Sequence, residues 1–361
     1  MKKLLSLIVY SAIISITYSQ HLVNTGDMFQ GGVADGVKLV EYYIKPVNKA
    51  IISGINNTEY NNLKLYDDNK RLSVSLRIAT ITIPEADRKF RVDTMEFETI
   101  KVDSGIYAQT VFGDTIGSVL FVSKDSTIHY DTTSTIPLIV NTYWGPVFSF
   151  YAPPGSGHHI MPIPYLQAGY NFGIGYLSVN LVPATPLLGS DMSLLLFGVS
   201  WQQNLLPFLK DKPYELSAIA GFNTIKASAH LHVEPDPSLV SFDPEDYDDQ
   251  YIKINYLNLY ASVYAAYHLS DKFTLYAGAG YTQGRSLINV LGTYPVYQKD
   301  PLGVTSVTVE KVKDPMKDSQ VAYNRFKGVA GIHVNFGSWY LQANYTIAEY
   351  SGIGVVIGKR F

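Results

Sequence analysis

Residues 252–281 read IKINYLNLYASVYAAYHLSDKFTLYAGAGY, and their side chains alternate between two kinds. One face of the first half is apolar and comprises Leu257, Leu259, Ala261, Val263, Ala265 and Tyr267. The other face comprises Asn258, Tyr260, Ser262, Tyr264, Ala266 and His268. Because successive side chains of a strand point to opposite sides of a sheet, this period of two predicts a strand from Ile252 to Leu269.

The second half of the stretch predicts a partner strand with the same two faces. Its apolar face runs from Phe273 to Tyr281, about 26 Å along the strand and about 20 Å along a membrane normal if the strand is tilted. Aromatic residues at both ends of such a face are typical of the two membrane interfaces. Trp339 to Ile347 repeats the pattern. A lipid-facing side opposite a polar, uncharged side favours a membrane barrel over a soluble sandwich.

The same alternation recurs along the C-terminal half of the chain. It predicts strands at Ile163–Asn171, Gly175–Val182, Met192–Trp201, Tyr214–Ala229, Ile252–Leu269, Phe273–Ile288, Arg325–Phe336, Trp339–Ala348 and Gly352–Phe361. Short turns at 270–272 and 337–338 contrast with long polar loops at His230–Tyr251 and Asn289–Asn324, which is the layout of a bacterial outer-membrane barrel. Counting short pieces between Glu85 and Pro154, we expect roughly 12 to 14 strands.

The barrel is expected to begin near residue 71. Leu72 to Ile78 alternates with period two, and the phase then slips before Ile81, which predicts a β-bulge. The expected organisation is a signal peptide at residues 1–19, a plug or cap segment at 20–70 and an antiparallel transmembrane β-barrel at 71–361. This organisation places the protein in the outer membrane.

The N-terminus reads as a secretory signal. Lys2 and Lys3 precede a mostly apolar run, and Ser19 marks the expected cleavage site. The chain contains no cysteine, so a lipoprotein anchor, a disulfide framework and a thiolate site are all excluded. With a formal net charge of −3 and no basic patch, we expect no nucleic-acid partner.

One amphipathic helix is predicted in the plug or cap segment. Asp35 is its expected N-cap, Pro46 is expected to kink or end its first part, and Gly54 closes it. Its apolar stripe comprises Val37, Val40, Ile44, Val47 and Ile51. The pattern leaves open whether the helix plugs the lumen or caps the periplasmic end of the barrel.

No motif predicts catalysis, a cofactor or a metal, so we expect no enzyme. The glycines at 278–284 and 352–358 lie inside predicted strands rather than before a helix, unlike a phosphate-binding loop. His158 and His159 are adjacent and would point apart on an extended chain. The acidic loop between Glu234 and Asp249 lacks the ligand spacing of a calcium loop.

Several motifs resemble an uncharacterised family of outer-membrane barrels from Bacteroidota-type bacteria, domain-of-unknown-function family 6588. They are GVADGVKL at 32–39, Tyr42-Tyr43, Lys45-Pro46, ISGINNTEYNN at 52–62, and residues 162–183. The resemblance implies a barrel and no assigned activity. The chain is more weakly similar to outer-membrane fatty-acid transporters, which also place an N-terminal helical hatch before a barrel.

The strand phase assigns a set of side chains to the lumen. The candidates are Arg77, Tyr260, Tyr264, His268, His333, Gln342 and Asn344. Phe361 resembles the terminal aromatic signal read by the barrel assembly machinery, although Lys359 stands where an apolar residue is usual. Besides that machinery, the expected partners are outer-membrane lipid and a small solute.

These observations favour a passive, porin-like channel or transporter for small solutes, apolar ones included, which the helix gates or narrows. The alternative is a non-conducting surface or assembly barrel whose extracellular loops bind a partner.

Overall fold

The computed structural model describes residues 28–65, 70–117, 119–130, 142–186, 192–206, 212–237, 242–247, 249–299 and 307–361. The expected signal peptide, residues 1–19, lies outside these residues, as do parts of the two long loops.

The described residues form one α-helix, α1 (Val33–Gly54), and nineteen strands. In chain order the strands are β1 (Leu72–Thr82), β2 (Lys89–Arg91), β3 (Ile100–Ser104), β4 (Tyr107–Gln109), β5 (Leu120–Ser123), β6 (Ser126–Tyr130), β7 (Thr142–Pro146), β8 (Ser149–Tyr151), β9 (Ile160–Asn171), β10 (Gly175–Pro186), β11 (Met192–Asn204), β12 (Tyr214–His230), β13 (Tyr251–His268), β14 (Phe273–Leu291), β15 (Thr293–Lys299), β16 (Val307–Lys313), β17 (Met316–Phe336), β18 (Trp339–Ile347) and β19 (Gly352–Arg360). None of the helices among these residues is long and apolar enough to cross a membrane.

Ten strands close into an antiparallel barrel in the order β1-β19-β18-β17-β14-β13-β12-β11-β10-β9. The predicted fold class is therefore confirmed, but the expected count of 12 to 14 strands is too high. The pieces between Glu85 and Pro154 form strands of three to five residues in separate small sheets. A strand needs about 9–11 residues to cross a bilayer, so these pieces are too short to be transmembrane strands of the barrel.

The predicted bulge in β1 is absent. The strand pairs with β19 from Ser73 to Ile81 and with β9 from Leu72 to Thr82 without a register shift. Its inward face changes from serine and arginine to Ala79 and Ile81, both fully buried. The apparent phase slip therefore has another cause. The inward positions of β1 change from polar to apolar side chains where the strand stops facing polar groups in the lumen and begins to face the apolar helix.

The outer surface of the barrel carries the predicted apolar belt. Phe273 and Tyr281 are 51% and 39% exposed at its two edges, and Leu275 between them is 45% exposed. Beyond the belt, towards the long-loop end of β12, β13 and β14, the outward positions become charged, with Lys226, Lys253 and Arg285 exposed. This arrangement is that of a transmembrane barrel with aromatic edges.

A folded crown covers the long-loop end of the barrel. We use this name for β2–β8 with the β15–β16 hairpin. The hairpin occupies much of the stretch expected to be a polar loop from Asn289 to Asn324. Crown residues such as Phe97, Phe112 and Phe121 share one apolar core with α1, which contributes Leu39 and Ile44.

Helix α1 begins two residues before the predicted N-cap. Gly32, with a φ of 119°, precedes the helix, and Asp35 lies in its first turn. The Asp35 carboxylate instead accepts backbone N–H groups of Glu98, Thr99 and Ile100 in the crown. The helix continues through Pro46 to Gly54.

Candidate functional site

The N-terminal part of the chain passes down through the barrel. Near its start, the ring of Phe29 lies 5.6 Å from that of Tyr294 in the crown hairpin. Lys49 forms an ion pair of 2.8 Å with Glu349, in the connection between β18 and β19 at the long-loop end. Asn62 donates to Thr274, at the start of β14 and close to the short-turn end. The chain therefore enters from the crown, crosses the lumen and emerges where β1 begins.

Between the helix and the short-turn end lies an eight-residue stretch that we call the lumen segment, Ile55–Asn62. Every residue in it is 5% exposed or less. Of the two alternatives, plug and periplasmic cap, the structure shows the plug geometry. The sequence left open which of the two roles the helix has. In the structure the helix fills the crown end, and the lumen segment fills the barrel below it.

Side chains of the wall bind the backbone of the lumen segment. The Tyr165 hydroxyl donates to the Ile55 carbonyl at 3.1 Å, and Nδ2 of Asn344 donates to the Asn57 carbonyl at 2.6 Å. Gln202 contacts Asn61 twice, because its Oε1 accepts the Asn61 N–H at 3.0 Å and its Nε2 donates to the Asn61 carbonyl at 2.8 Å.

The end of α1 is bound in the same way. Asn258 donates to the Ile52 carbonyl at 3.2 Å, and Arg325 donates to the Ser53 carbonyl and to Oδ1 of Asn57. The last carbonyls of a helix have no partner within the helix. The wall supplies donors for two of them.

A buried ion pair joins the lumen segment to β17. Nζ of Lys327 lies 2.9 Å from Oε1 of Glu59, and their side chains are 0% and 3% exposed. The Tyr264 hydroxyl donates to the same carboxylate oxygen at 2.9 Å, and Lys327 also donates to the Asn56 carbonyl. The negative charge of Glu59 is thus held by two donors from two strands.

Tyr60 occupies an aromatic pocket beside this ion pair. Its ring is stacked on Tyr276, with centroids 4.2 Å apart, and lies 5.2 Å from the ring of Tyr264. Ile219 and Val329 belong to the same buried cluster.

The structure places all seven predicted lumen residues on inward faces, and three of them donate hydrogen bonds to the lumen segment. Arg77 donates to Oδ1 of Asn61 at 2.5 Å, and Tyr264 and Asn344 make the contacts given above. Of the other four, Tyr260, His333 and Gln342 are buried and His268 is half-buried. Nδ1 of His268 lies 3.0 Å from the Thr274 hydroxyl, and the ring of His333 is stacked on Tyr340. Tyr260 and Gln342 are 5% and 1% exposed.

Sequence reasoning missed three charged wall residues that bind the lumen segment: Lys327 and Arg325, described above, and Glu215, which accepts from the Tyr60 hydroxyl at 3.4 Å. Lys327, Arg325 and Glu215 lie within predicted strands, and a charge inside a membrane-crossing strand indicates an inward position. The sequence alone could therefore have assigned these three charged residues to the lumen. Glu59 and Tyr60 gave no such signal, because the stretch around them has no periodicity of either kind.

Solved structures similar to this chain include bacterial outer-membrane barrels. The attachment invasion locus protein Ail of Yersinia pestis matches with 8% identity and a TM-score of 0.23, covering 81% of this chain and 99% of that one. The translocator domain of autotransporter NalP from Neisseria meningitidis matches with 9% identity and a TM-score of 0.26, covering 91% of this chain and 98% of that one. The toluene transporter TodX of Pseudomonas putida matches with 12% identity and a TM-score of 0.25, covering 87% of this chain and 72% of that one. Similarity this low carries no functional information.

No curated protein matches the chain. The profile of one protein family, described as a family of unknown function, DUF6588, matches residues 1–361. The Bacteroidota-type source that the motifs imply stays a prediction.

Proposed function

Because the chain belongs to DUF6588, a family of unknown function, we propose its function from the geometry of its own lumen. The protein is an outer-membrane barrel that forms a gated passage for small solutes. The lumen segment closes it at rest. The plug consists of α1, its upper half, and the lumen segment, its lower half. The observation that carries this proposal is the contrast between them, since the upper half makes mainly apolar contacts in the crown and the lower half makes mainly polar contacts in the barrel.

Three features support location in the outer membrane. The first is the apolar belt with aromatic edges, and the second is the pairing of β1 with β19 that closes the barrel. The third is the alternation of short turns, such as Asp271-Lys272, with long connections at the crown end, which in bacterial barrels lie on the periplasmic and extracellular sides respectively. The expected secretory signal agrees with this location.

The upper half of the plug is anchored in the crown. Leu39, Val40 and Ile44 are each 1% exposed or less within the shared apolar core. Moving each of these side chains into water would cost about 1.5–3 kcal/mol. Helix α1 is therefore expected to stay in place, and we assign it the role of an anchor rather than that of the gate.

Apart from the Tyr60 ring and the Glu59–Lys327 ion pair, the lower half is held by hydrogen bonds, which water can replace. A hydrogen bond exchanged for one with water changes the free energy by only about 0.5–1.5 kcal/mol. Within the described part of the chain, Nδ2 of Asn56, Nδ2 of Asn57 and Oδ1 of Asn62 have no protein partner although they are buried. Buried polar atoms of this kind gain from hydration, so release of the lumen segment is the least costly way to open the barrel. A lumen lined in this way favours polar solutes over apolar ones.

The direct test is to loosen the lumen segment without shortening the chain. In a linker variant, residues 55–62 are replaced by alternating glycine and serine, which removes the Glu59 and Tyr60 contacts and keeps the connection to β1. We expect steady conductance in planar bilayers, against rare, brief openings of the wild-type protein. A linker variant that is heat-modifiable on gels, and hence folded, yet conducts nothing would refute the gated passage.

A cysteine pair gives an independent check, since the chain has no cysteine of its own. A Cβ added at Gly354 would overlap both Cγ2 of Thr58 and Oδ1 of Asn344, so Thr58→Cys/Gly354→Cys is placed to form a disulfide between the lumen segment and β19 once the Asn344 amide turns aside. The oxidised pair is expected to abolish the openings and a reductant to restore them. The two single variants serve as controls and are expected to be insensitive to the reductant.

A second candidate is a non-conducting surface barrel whose crown and loops bind a partner. It is favoured by large apolar side chains exposed on the crown, namely Ile106, Ile116 and Tyr151 at 52%, 75% and 66%. Deletion within His230–Tyr251 or Asn289–Asn324 that abolishes capture of a partner and leaves permeability unchanged would support it. Under either candidate we propose no enzymatic activity and no cofactor.

A further inference from the structure

The wall recognises the lumen segment largely through its main chain. The carbonyls of Ile55, Asn56, Asn57 and Asn61 accept from Tyr165, Lys327, Asn344 and Gln202 respectively. These four donors come from four different strands, β9, β17, β18 and β11. Main-chain hydrogen bonds bind any peptide of suitable shape, whatever its side chains are.

Two adjacent pockets add side-chain recognition. The Lys327 ammonium and the Tyr264 hydroxyl face the Glu59 carboxylate. The ring of the next residue, Tyr60, packs against those of Tyr264 and Tyr276. Together they form a site for an acidic residue followed by an aromatic one.

Permanent packing alone does not account for this chemistry. In the crown, α1 is held mainly by an apolar core, and its buried Asp35 carboxylate is bound by backbone N–H groups rather than by a buried cation. In the barrel the wall buries Lys327 and Arg325, and removing charges from water is unfavourable unless every partner is in place. Hydrophobic residues of similar volume would hold a fixed plug at least as well. A charged, hydrogen-bonding wall is useful where the occupant is exchanged.

We propose that the passage takes peptides, and that the lumen segment occupies the binding site of its substrate. The preferred substrate carries an acidic residue directly followed by an aromatic residue. This proposal rests on the gated passage and names its solute class. Opening then corresponds to exchange of the lumen segment for a free peptide on the same donors.

The test uses the full-length linker variant and the synthetic peptide GINNTEYNNL, which has the sequence of residues 54–63. We expect the peptide, added at the short-turn side, to block conductance reversibly. A peptide with alanine in place of the Glu-Tyr pair is expected to block more weakly by more than about tenfold, since it keeps the main-chain contacts and loses both pockets. In the linker background, Lys327→Met should weaken the block by GINNTEYNNL, whereas Lys253→Met, an exposed lysine on the outside of β13, should not.

Binding of a fluorescent GINNTEYNNL to the detergent-solubilised linker variant, measured by anisotropy, separates this proposal from the gated passage. Conductance without binding or block, or equal block by the native and the alanine peptides, would overturn peptide recognition and leave the passage intact. Binding without conductance would support the peptide site and refute the passage.

Discussion

Glu59 and Lys327 form the contact on which the closed state depends most. Removing one partner of a buried pair leaves an uncompensated charge and costs about 3–5 kcal/mol, whereas removing both is often close to neutral. We therefore expect Lys327→Met and Glu59→Gln each to increase the frequency of channel openings. The double variant should open less often than Lys327→Met alone. Single-channel recordings of the four proteins, arranged as a double-mutant cycle, measure the coupling.

Additive effects in that cycle would show that the two charges act independently. Thermal shifts of the heat-modifiable band provide a stability readout for the same four proteins. Lys253→Met is a suitable control because its side chain is exposed on the outer face of the barrel.

Asp35 makes the crown sensitive to acid. Burial raises the pKa of its carboxyl, but the N–H groups of Thr99 and Glu98, with the Thr99 hydroxyl, lower it more, so the pKa lies below its ordinary value. A carboxyl whose pKa is lower in the folded state than in the unfolded state stabilises the fold at any pH above its unfolded-state pKa. This stabilisation is lost as the pH falls through the folded-state pKa. We expect the wild-type crown to become protease-sensitive below about pH 4.

Asp35→Asn should be less stable at neutral pH and should lose most of this dependence. Asp93→Asn, in an exposed pair with Arg91, is the matched control and should change neither property. An unchanged acid profile in Asp35→Asn would assign the sensitivity to another group. Limited proteolysis from pH 3 to 7 followed by gel analysis measures the effect.

At this scale, the side-chain phase of the strands was sufficient to find wall residues such as Arg77, Tyr264 and Asn344. It could not find Glu59 or Tyr60, because their burial comes from closure of the barrel around them. The hydrogen-bond partners of their side chains lie more than one hundred residues away in the chain. Only the folded barrel shows which wall residues they meet.

Among the elements, the long amphipathic strands were predictable and the crown was not. Each of the nine predicted C-terminal strands coincides with a barrel strand, although β17 begins nine residues earlier, at Met316. Alternation is strong there because lipid and lumen impose opposite demands on the two faces. Crown strands such as β2 and β8 have three residues each, too few for any periodicity. The bulge expected before Ile81 was wrong because an inward position need not be polar where it meets α1.

The last strand, β19, is expected to direct assembly through its terminal aromatic residue. Phe361 is 52% exposed, and Nζ of Lys359 lies 4.7 Å from the centre of its ring and 5.7 Å from that of Trp339. The lysine thus covers aromatic rings at the rim while its charge can reach water, which explains how it is tolerated on the outer face. We expect Phe361→Ala to reduce the amount of heat-modifiable protein in the outer membrane several-fold.

Lys359→Leu, which supplies the apolar residue usual at this position, is expected to assemble at least as well as the wild type. Equal assembly of Phe361→Ala and wild type would show that β19 carries its assembly signal elsewhere. Membrane fractionation with quantification of the folded band distinguishes these outcomes.

For the molecule as a whole, the path of the chain determines which parts face the outside of the cell. The crown lies at the long-loop end, and α1 descends from it, so residues of α1 should be reachable from outside although they precede β1 in the chain. Lys45, exposed on α1, and Lys272, exposed in the short turn between β13 and β14, lie at opposite ends of the barrel.

Because the chain has no cysteine, Lys45→Cys and Lys272→Cys each introduce a single thiol. In intact cells a membrane-impermeant maleimide should label Lys45→Cys and spare Lys272→Cys, and after the outer membrane is permeabilised it should label both. Labelling of Lys272→Cys alone in intact cells would reverse the orientation, and the lumen segment would then close the barrel below a crown that faces the periplasm.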